Sequence, residues 1–322
     1  MSYKNLMRPV WKTGYTEKAA LLPDGDKLAY AESTDTALEP LLLIHGQTGA
    51  WKDYAKVLPA MAAKFHVFAI DCHGHGKSCK NAEKYKAKAI AADIAWFVEH
   101  VIGGPVIISG HSSGGLIAAY FAAHYTELTK GALLEDPPFF STEPGDRWEY
   151  SFAYIDTYEP MHRFLNQTEE SDWVLFYLKN AAWGKFVGEK GMTKMIRYAE
   201  KYRTNNPGKP LNFFFLPDSI NHMFWFLDEY DLRFGQAFYD GSWFEDFDQS
   251  ETLSHITCPV VLIHTKWAID ENGILMAAMS GEDAERANSL MKNSTIFNID
   301  SGHDTHFEQP KEFLAALDLL SH

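Results

Sequence analysis

The chain is poor in every feature that would take it out of the ordinary globular class. No run of roughly eighteen uninterrupted apolar residues occurs in its 322 residues, so nothing reads as a transmembrane helix. The N-terminus, Met1-Ser2-Tyr3-Lys4-Asn5, lacks the apolar stretch of a secretory signal, and a soluble, non-exported protein is expected. Cysteine is scarce. Cys72, Cys79 and Cys258 are odd in number and show no C-x-x-C spacing, which argues against a disulfide framework and for a reducing cytoplasm. Positive charge is short too, with 29 Lys and Arg against 43 Asp and Glu for a net −14. With no Lys/Arg stripe to release counterions, nucleic acid and anionic membrane are poor partners. Internal repeats and low-complexity tracts are absent.

What is present reads as one large α/β unit. Two alternating stretches, Thr16 to Leu22 and Lys27 to Glu32, flank Pro23-Asp24-Gly25-Asp26, which has the turn chemistry of a β-hairpin. From Pro40 onward, short apolar runs alternate with helical segments: Leu41 to Ile44, Val67 to Ile70, Val106 to Ile108 and Ala132 to Leu134. Continuous apolar runs of that length suit strands buried on both faces of a parallel sheet. The alternation stops near Phe139 and resumes at Pro259 to His264, followed by a helix from Glu282 to Met291, a strand from Thr295 to Ile299 and a last helix from Pro310 to Leu320. The interval between holds 28 of the 46 aromatic residues and reads as amphipathic helices. Three segments are therefore expected: a first core part at 1–138, a helical cap at 139–250, and a second core part at 251–322.

The chemistry centres on Gly110-His111-Ser112-Ser113-Gly114-Gly115, which follows the apolar run Pro105 to Ser109 and opens a helix over Leu116 to His124. A G-x-S-x-G between strand and helix is a nucleophile elbow, in which glycines two positions either side leave room for a strained serine. Ser112 Oγ then stands above the sheet. Ser113 falls at the helix N-terminus, where its free N–H can face a developing oxyanion. A serine hydroxyl needs a base to take its proton and an acid to orient that base. His303, on the loop after the last strand, is the candidate base, with His306 the alternative. Pairing of His303 with His306, or of His73 with His75, as a metal site lacks further ligands at convincing spacing.

With these motifs in this order, the chain resembles the α/β-hydrolase fold superfamily over Pro40 to His322. The matching pieces are the elbow, His45-Gly46-Gln47, Asp71-Cys72-His73-Gly74-His75-Gly76-Lys77-Ser78, and Gly302-His303-Asp304-Thr305-His306-Phe307-Glu308-Gln309-Pro310. The resemblance implies an eight-stranded, mostly parallel sheet with a helical cap after the sixth strand. It also implies that the backbone N–H of Gln47 joins that of Ser113 in the oxyanion hole. The Asp71 to Ser78 loop is expected to shape structure. The chain departs from the common pattern at the acid: after Pro259 to His264, where most relatives carry a Gly-x-x-Asp-like turn, it reads Thr265-Lys266-Trp267-Ala268, and Ala268 takes the aspartate's place. Asp136, Asp270 and Glu135 remain as candidates. Asp136 is preferred because it ends the sixth strand, as the acid does in haloalkane dehalogenases and zearalenone lactonases, at the same 24-residue interval from the nucleophile.

The reading is a serine hydrolase of an ester or lactone with an apolar or aromatic substrate, using Ser112, His303 and Asp136 and no cofactor or metal. A carbon–carbon bond hydrolase and a non-enzymatic small-molecule receptor of the same fold are the alternatives. A small molecule is the expected partner, with the protein a monomer or homodimer.

Overall fold

The computed structural model describes residues 3–145 and 147–320. Eight strands form one sheet: β1 (Thr16–Leu21), β2 (Lys27–Glu32), β3 (Glu39–Ile44), β4 (Phe65–Ile70), β5 (Val106–His111), β6 (Thr129–Glu135), β7 (Val260–His264) and β8 (Ser294–Asn298). Their order is β1-β2-β4-β3-β5-β6-β7-β8. The hairpin β1–β2 pairs antiparallel from Thr16 with Glu32 to Leu21 with Lys27, and β2 meets β4 antiparallel. Every other pairing is parallel. The central strands β4, β5 and β7 are buried along their whole length, which is why they read as unbroken apolar runs.

Strand order reverses around β3, which lies between β4 and β5. In an open parallel sheet the crevice at the carboxyl ends of the strands beside such a reversal is where a ligand fits. The segments that leave β3, β5, β6, β7 and β8 at that edge contain Gln47, Ser112, Asp136, Thr265 and His303.

Between β6 and β7 the described residues add no strand to the sheet and form helices, among them Glu159–Leu165, Trp173–Asn180, Gly184–Asn205, which is kinked at Gly188, and Leu232–Tyr239. Their aromatics chiefly pack on one another. Phe238 stacks on Trp243 at 4.4 Å and on Tyr158 at 5.1 Å, and Phe213 meets Phe224 at 5.2 Å, all of them buried. Each such ring pair adds about 0.5–1.5 kcal/mol to simple burial.

Two features were not legible in advance. A helix at Tyr3–Lys12 packs Met7 and Val10 into the cluster that holds Trp51 and Tyr54; Pro9 inside so short a segment hides it, since proline removes a helix hydrogen bond. The second is a correction. Helix Gly184–Asn205 does carry a stripe of Lys190, Lys194, Arg197 and Lys201, invisible in the linear sequence because its members are spaced by helical turns.

Candidate active site

Strand β5 ends at His111, and the helix Ser113–His124 begins two residues later. Ser112 makes the turn between them at φ 53° and ψ −121°, a conformation that costs a non-glycine residue on the order of 1–3 kcal/mol. Ser112 N–H donates to the Glu135 carbonyl at 2.9 Å, tying the elbow to β6. Close approach dictates the neighbouring glycines. A side chain on Gly114 would collide with the Ile44 and His45 carbonyls, and one on Gly46 would press on the His111 ring and on Ser112 Cβ. The loop after β3 is thereby brought against Ser112. Neither the Gln47 N–H nor the Ser113 N–H is bonded to another group among the described residues.

Asp136, one residue beyond β6, also has a positive φ, of 42°. Its buried carboxylate accepts from His303 Nδ1 at 2.7 Å and from Thr265 Oγ1 at 2.9 Å, both on Oδ2. Thr265 is the first residue after β7, so the strand end at which the resemblance implies an acid supplies a hydroxyl that steadies one. Burial alone would lower the His303 pKa, but the hydrogen bond and charge of Asp136 prevail, and it is raised to about 9. The ring is not sealed, since 39% of the His303 side chain is exposed.

The other acids are occupied elsewhere. Asp270 closes a turn by accepting from Asn272 and Ile274 N–H groups and pairs with Lys185, which lowers its pKa to about 2. Glu135 is fully buried and faces His306, whose Nδ1 is 2.9 Å from both carboxylate oxygens and whose backbone N–H donates at 2.8 Å. Burial disfavours charge on both, pushing Glu135 up to about 7 and His306 down to about 3. His306 is therefore a buried, neutral ring anchored to the end of β6.

Sequence reasoning missed a cluster around Asp304. Its carboxylate lies 3.6 Å from His111 Nε2 and 3.6 Å from His222 Nε2. Burial opposes ionisation, but His222, then His111 and His303, hold Asp304 well below the usual carboxylate range. The His111 ring stands 4.5 Å from that of His303, and its Nε2–H donates to the His303 carbonyl at 3.1 Å. His222, in the inserted helices, stacks on Phe307 at 4.0 Å. Only the adjacency of Asp304 to His303 could have signalled this cluster; His222 belongs to no motif.

On the opposite side, Gln47 Nε2 donates to the Tyr230 hydroxyl at 2.6 Å, so the inserted segment touches the loop after β3. Tyr230 packs on His75, which accepts from Thr48 N–H at 3.2 Å and donates to the His73 carbonyl at 2.9 Å. Asp71 accepts from the N–H groups of Trp51 and Lys77. The Asp71 to Ser78 loop is thus a scaffold held by the Asp71 carboxylate and the His75 ring.

Residues 41–317 match the model of the alpha/beta hydrolase family. The chain belongs to this family. The chain is 34% identical over 97 residues to a soluble epoxide hydrolase of Corynebacterium sp. (strain C12), covering 30% of this chain and 34% of that protein. It is 30% identical over 131 residues to lipase 3 of Moraxella sp. (strain TA144), covering 40% and 41%. It therefore spans only about a third to two-fifths of these relatives' length. A hydrolase from Pseudomonas aeruginosa PA01 shares the fold with a TM-score of 0.67 and 16% identity, covering 95% of this chain and 98% of that one. No helix of the described residues is long and apolar enough to cross a membrane.

Chemically, the protein gathers at one sheet edge a strained, partly accessible serine, an imidazole whose Nδ1 is held by a buried carboxylate, and two unbonded backbone N–H donors. Such a set can pass a proton from a hydroxyl to a ring nitrogen and receive negative charge on a substrate oxygen.

Proposed function

We propose that this protein is a serine hydrolase of carboxylic esters or lactones. Ser112 Oγ attacks the substrate carbonyl, and His303 Nε2 takes its proton and later delivers it to the leaving oxygen. Asp136 holds the Nδ1–H tautomer and stabilises the imidazolium. The N–H groups of Gln47 and Ser113 receive the oxyanion, and water repeats the sequence on the acyl-enzyme. The observation that carries this reading is the 2.7 Å contact of Asp136 with His303 beside a serine at positive φ. Residues 139–250 are proposed as a cap over the site, with 1–138 and 251–322 forming the core. The substrate is taken to be an apolar or aromatic small molecule, on the grounds that pockets beneath such aromatic-rich covers are mostly hydrophobic with few polar anchors. The similarity to a lipase supports ester chemistry.

The test is labelling with a fluorophosphonate, followed by a panel of p-nitrophenyl esters and of lactones. Labelling is expected in the native protein and absent in Ser112→Ala, with hydrolysis lost and thermal stability kept. An alanine variant that retains more than a small fraction of kcat on the best ester would refute Ser112 as nucleophile.

A further inference from the structure

Helix Gly184–Asn205 carries a charge opposite to that of the protein that holds it. It has six Lys and Arg against Glu189 and Glu200, in a chain of net charge −14. Two of the six cations are paired. Lys185 meets Asp270, and Arg203 forks onto Asp228 while its Nε meets Asp172 at 2.7 Å. The other four, Lys190, Lys194, Arg197 and Lys201, recur at i, i+4, i+7 and i+11, a spacing that keeps them in one line along a helix. All four are exposed, and none forms an ion pair among the described residues. They point away from Met195 and Ala199, the helix's buried residues. Of the two glutamates, Glu200 is paired with Lys179 at 3.2 Å, and Glu189 falls on the flank opposite Tyr198.

The flank bearing Tyr198 leads to a second anomaly. The Tyr198 ring contacts Phe214 at 5.8 Å and Phe215 at 5.3 Å, and these two are 79% and 47% exposed. Phe214 is the most exposed large apolar residue described. A phenyl ring so exposed adds almost nothing to the core, so packing does not account for it. Unpaired cations with protruding aromatic rings alongside match an anionic lipid interface, where phosphates attract the cations and the rings enter the headgroup boundary. Another polyanion would satisfy the cations and leave the rings in water.

We infer that the face formed by Lys190, Lys194, Arg197, Lys201, Phe214 and Phe215 docks the protein on an anionic lipid surface. The charge balance of the whole chain, which argues against such surfaces, averages over this face. The rest of the molecule is repelled by the same lipids, so docking selects one orientation, with the inserted helices facing the bilayer. The inference is independent of the hydrolytic reading because docking is measured without turnover.

The experiment is co-sedimentation of the full chain with vesicles of phosphatidylcholine alone and of phosphatidylcholine with phosphatidylglycerol, at low and high salt. Binding is expected to the phosphatidylglycerol vesicles only, and to weaken with salt. Each cation changed to Gln should weaken it about fivefold. A variant with Phe214→Ser and Phe215→Ser should bind more weakly with an unchanged salt dependence. The variant with all four cations changed to Gln should melt like the native protein and hydrolyse a soluble ester at the native rate. Absence of binding at low salt, equal binding to both vesicles, or native-like binding by either multiple variant overturns the inference. Retention on polyglutamate or DNA without vesicle binding also overturns it, and assigns the stripe to a different polyanion.

Discussion

Asp136 is the acid proposed to orient His303. It bends the chain at positive φ directly after β6, and its buried carboxylate is shared between His303 Nδ1 and the Thr265 hydroxyl. An acid whose role is to fix the tautomer and stabilise an imidazolium should, when made Asn, cost up to about 10⁴ in kcat with the fold intact. Asp136→Asn is therefore expected to be crippled on the best ester. Asp270, committed to its own turn and to Lys185, should stay within about tenfold of native activity when made Asn. Steady-state kinetics on the two variants decides the matter; a crippled Asp270→Asn beside an active Asp136→Asn reverses the assignment. Asp136 could be singled out from the sequence because its interval from Ser112 and its strand-end place are both linear properties. Thr265 could not, since nothing but the meeting of β6 and β7 in space makes a threonine the partner of that carboxylate.

At the scale of elements, the turn between β8 and the last helix is held by more than the Asp136 contact. Glu135 and His306 join it to the end of β6 through one backbone and one ring interaction, both fully buried. Replacing the ring leaves a cavity and a buried carboxyl without its partner, at a cost of roughly 2–4 kcal/mol. His306→Ala should accordingly melt at a markedly lower temperature while the folded protein keeps any kcat on the best ester within about tenfold. A variant of native stability would show that the pair contributes little, and a near-complete loss of kcat would move the base to His306. Strands β3 to β7 were legible because burial on both faces writes an apolar run into the sequence, and the more exposed hairpin β1–β2 because alternating residues flank a turn. The inserted helices were legible only as a class. Their contacts join residues far apart in the chain, as when His222 approaches Asp304 or Tyr230 reaches Gln47, and periodicity within a helix does not report which distant loop it touches.

For the whole molecule, stability follows the sum of many titrations, and the buried groups oppose one another. Glu135 and Asp53 are raised to about 7 and Asp156 to about 6, all by burial, so each holds a proton in the fold that the unfolded chain has released. Their contribution declines as pH rises from about 4 to 7. His111 and His306, lowered by burial to about 4 and about 3, act in the other direction, since the unfolded chain binds protons there that the fold refuses. His45 and His75, lowered by the same burial, join them; the contribution of these histidines grows as pH rises toward 6.5 and opposes that of the three acids between about 4.5 and 6.5. Above that range His222, which burial would lower but Asp304 raises, titrates along with His303. The His303 pKa is raised from 6.5 to about 9, so the stability it confers is complete below 6.5 and is lost as pH rises through 9. Solvent at its exposed edge limits this to about 1 kcal/mol. The growing excess of negative charge on a chain of net −14 adds self-repulsion of the same sign. Thermal melts should therefore be nearly level from pH 5 to 6.5 and should fall from pH 6.5 to 9. His303→Gln should remove part of that fall, because it abolishes the proton linkage and leaves the repulsion in place. An equal fall in the variant and the native protein would mean that the Asp136 contact contributes nothing to the fold, whatever it does for the reaction.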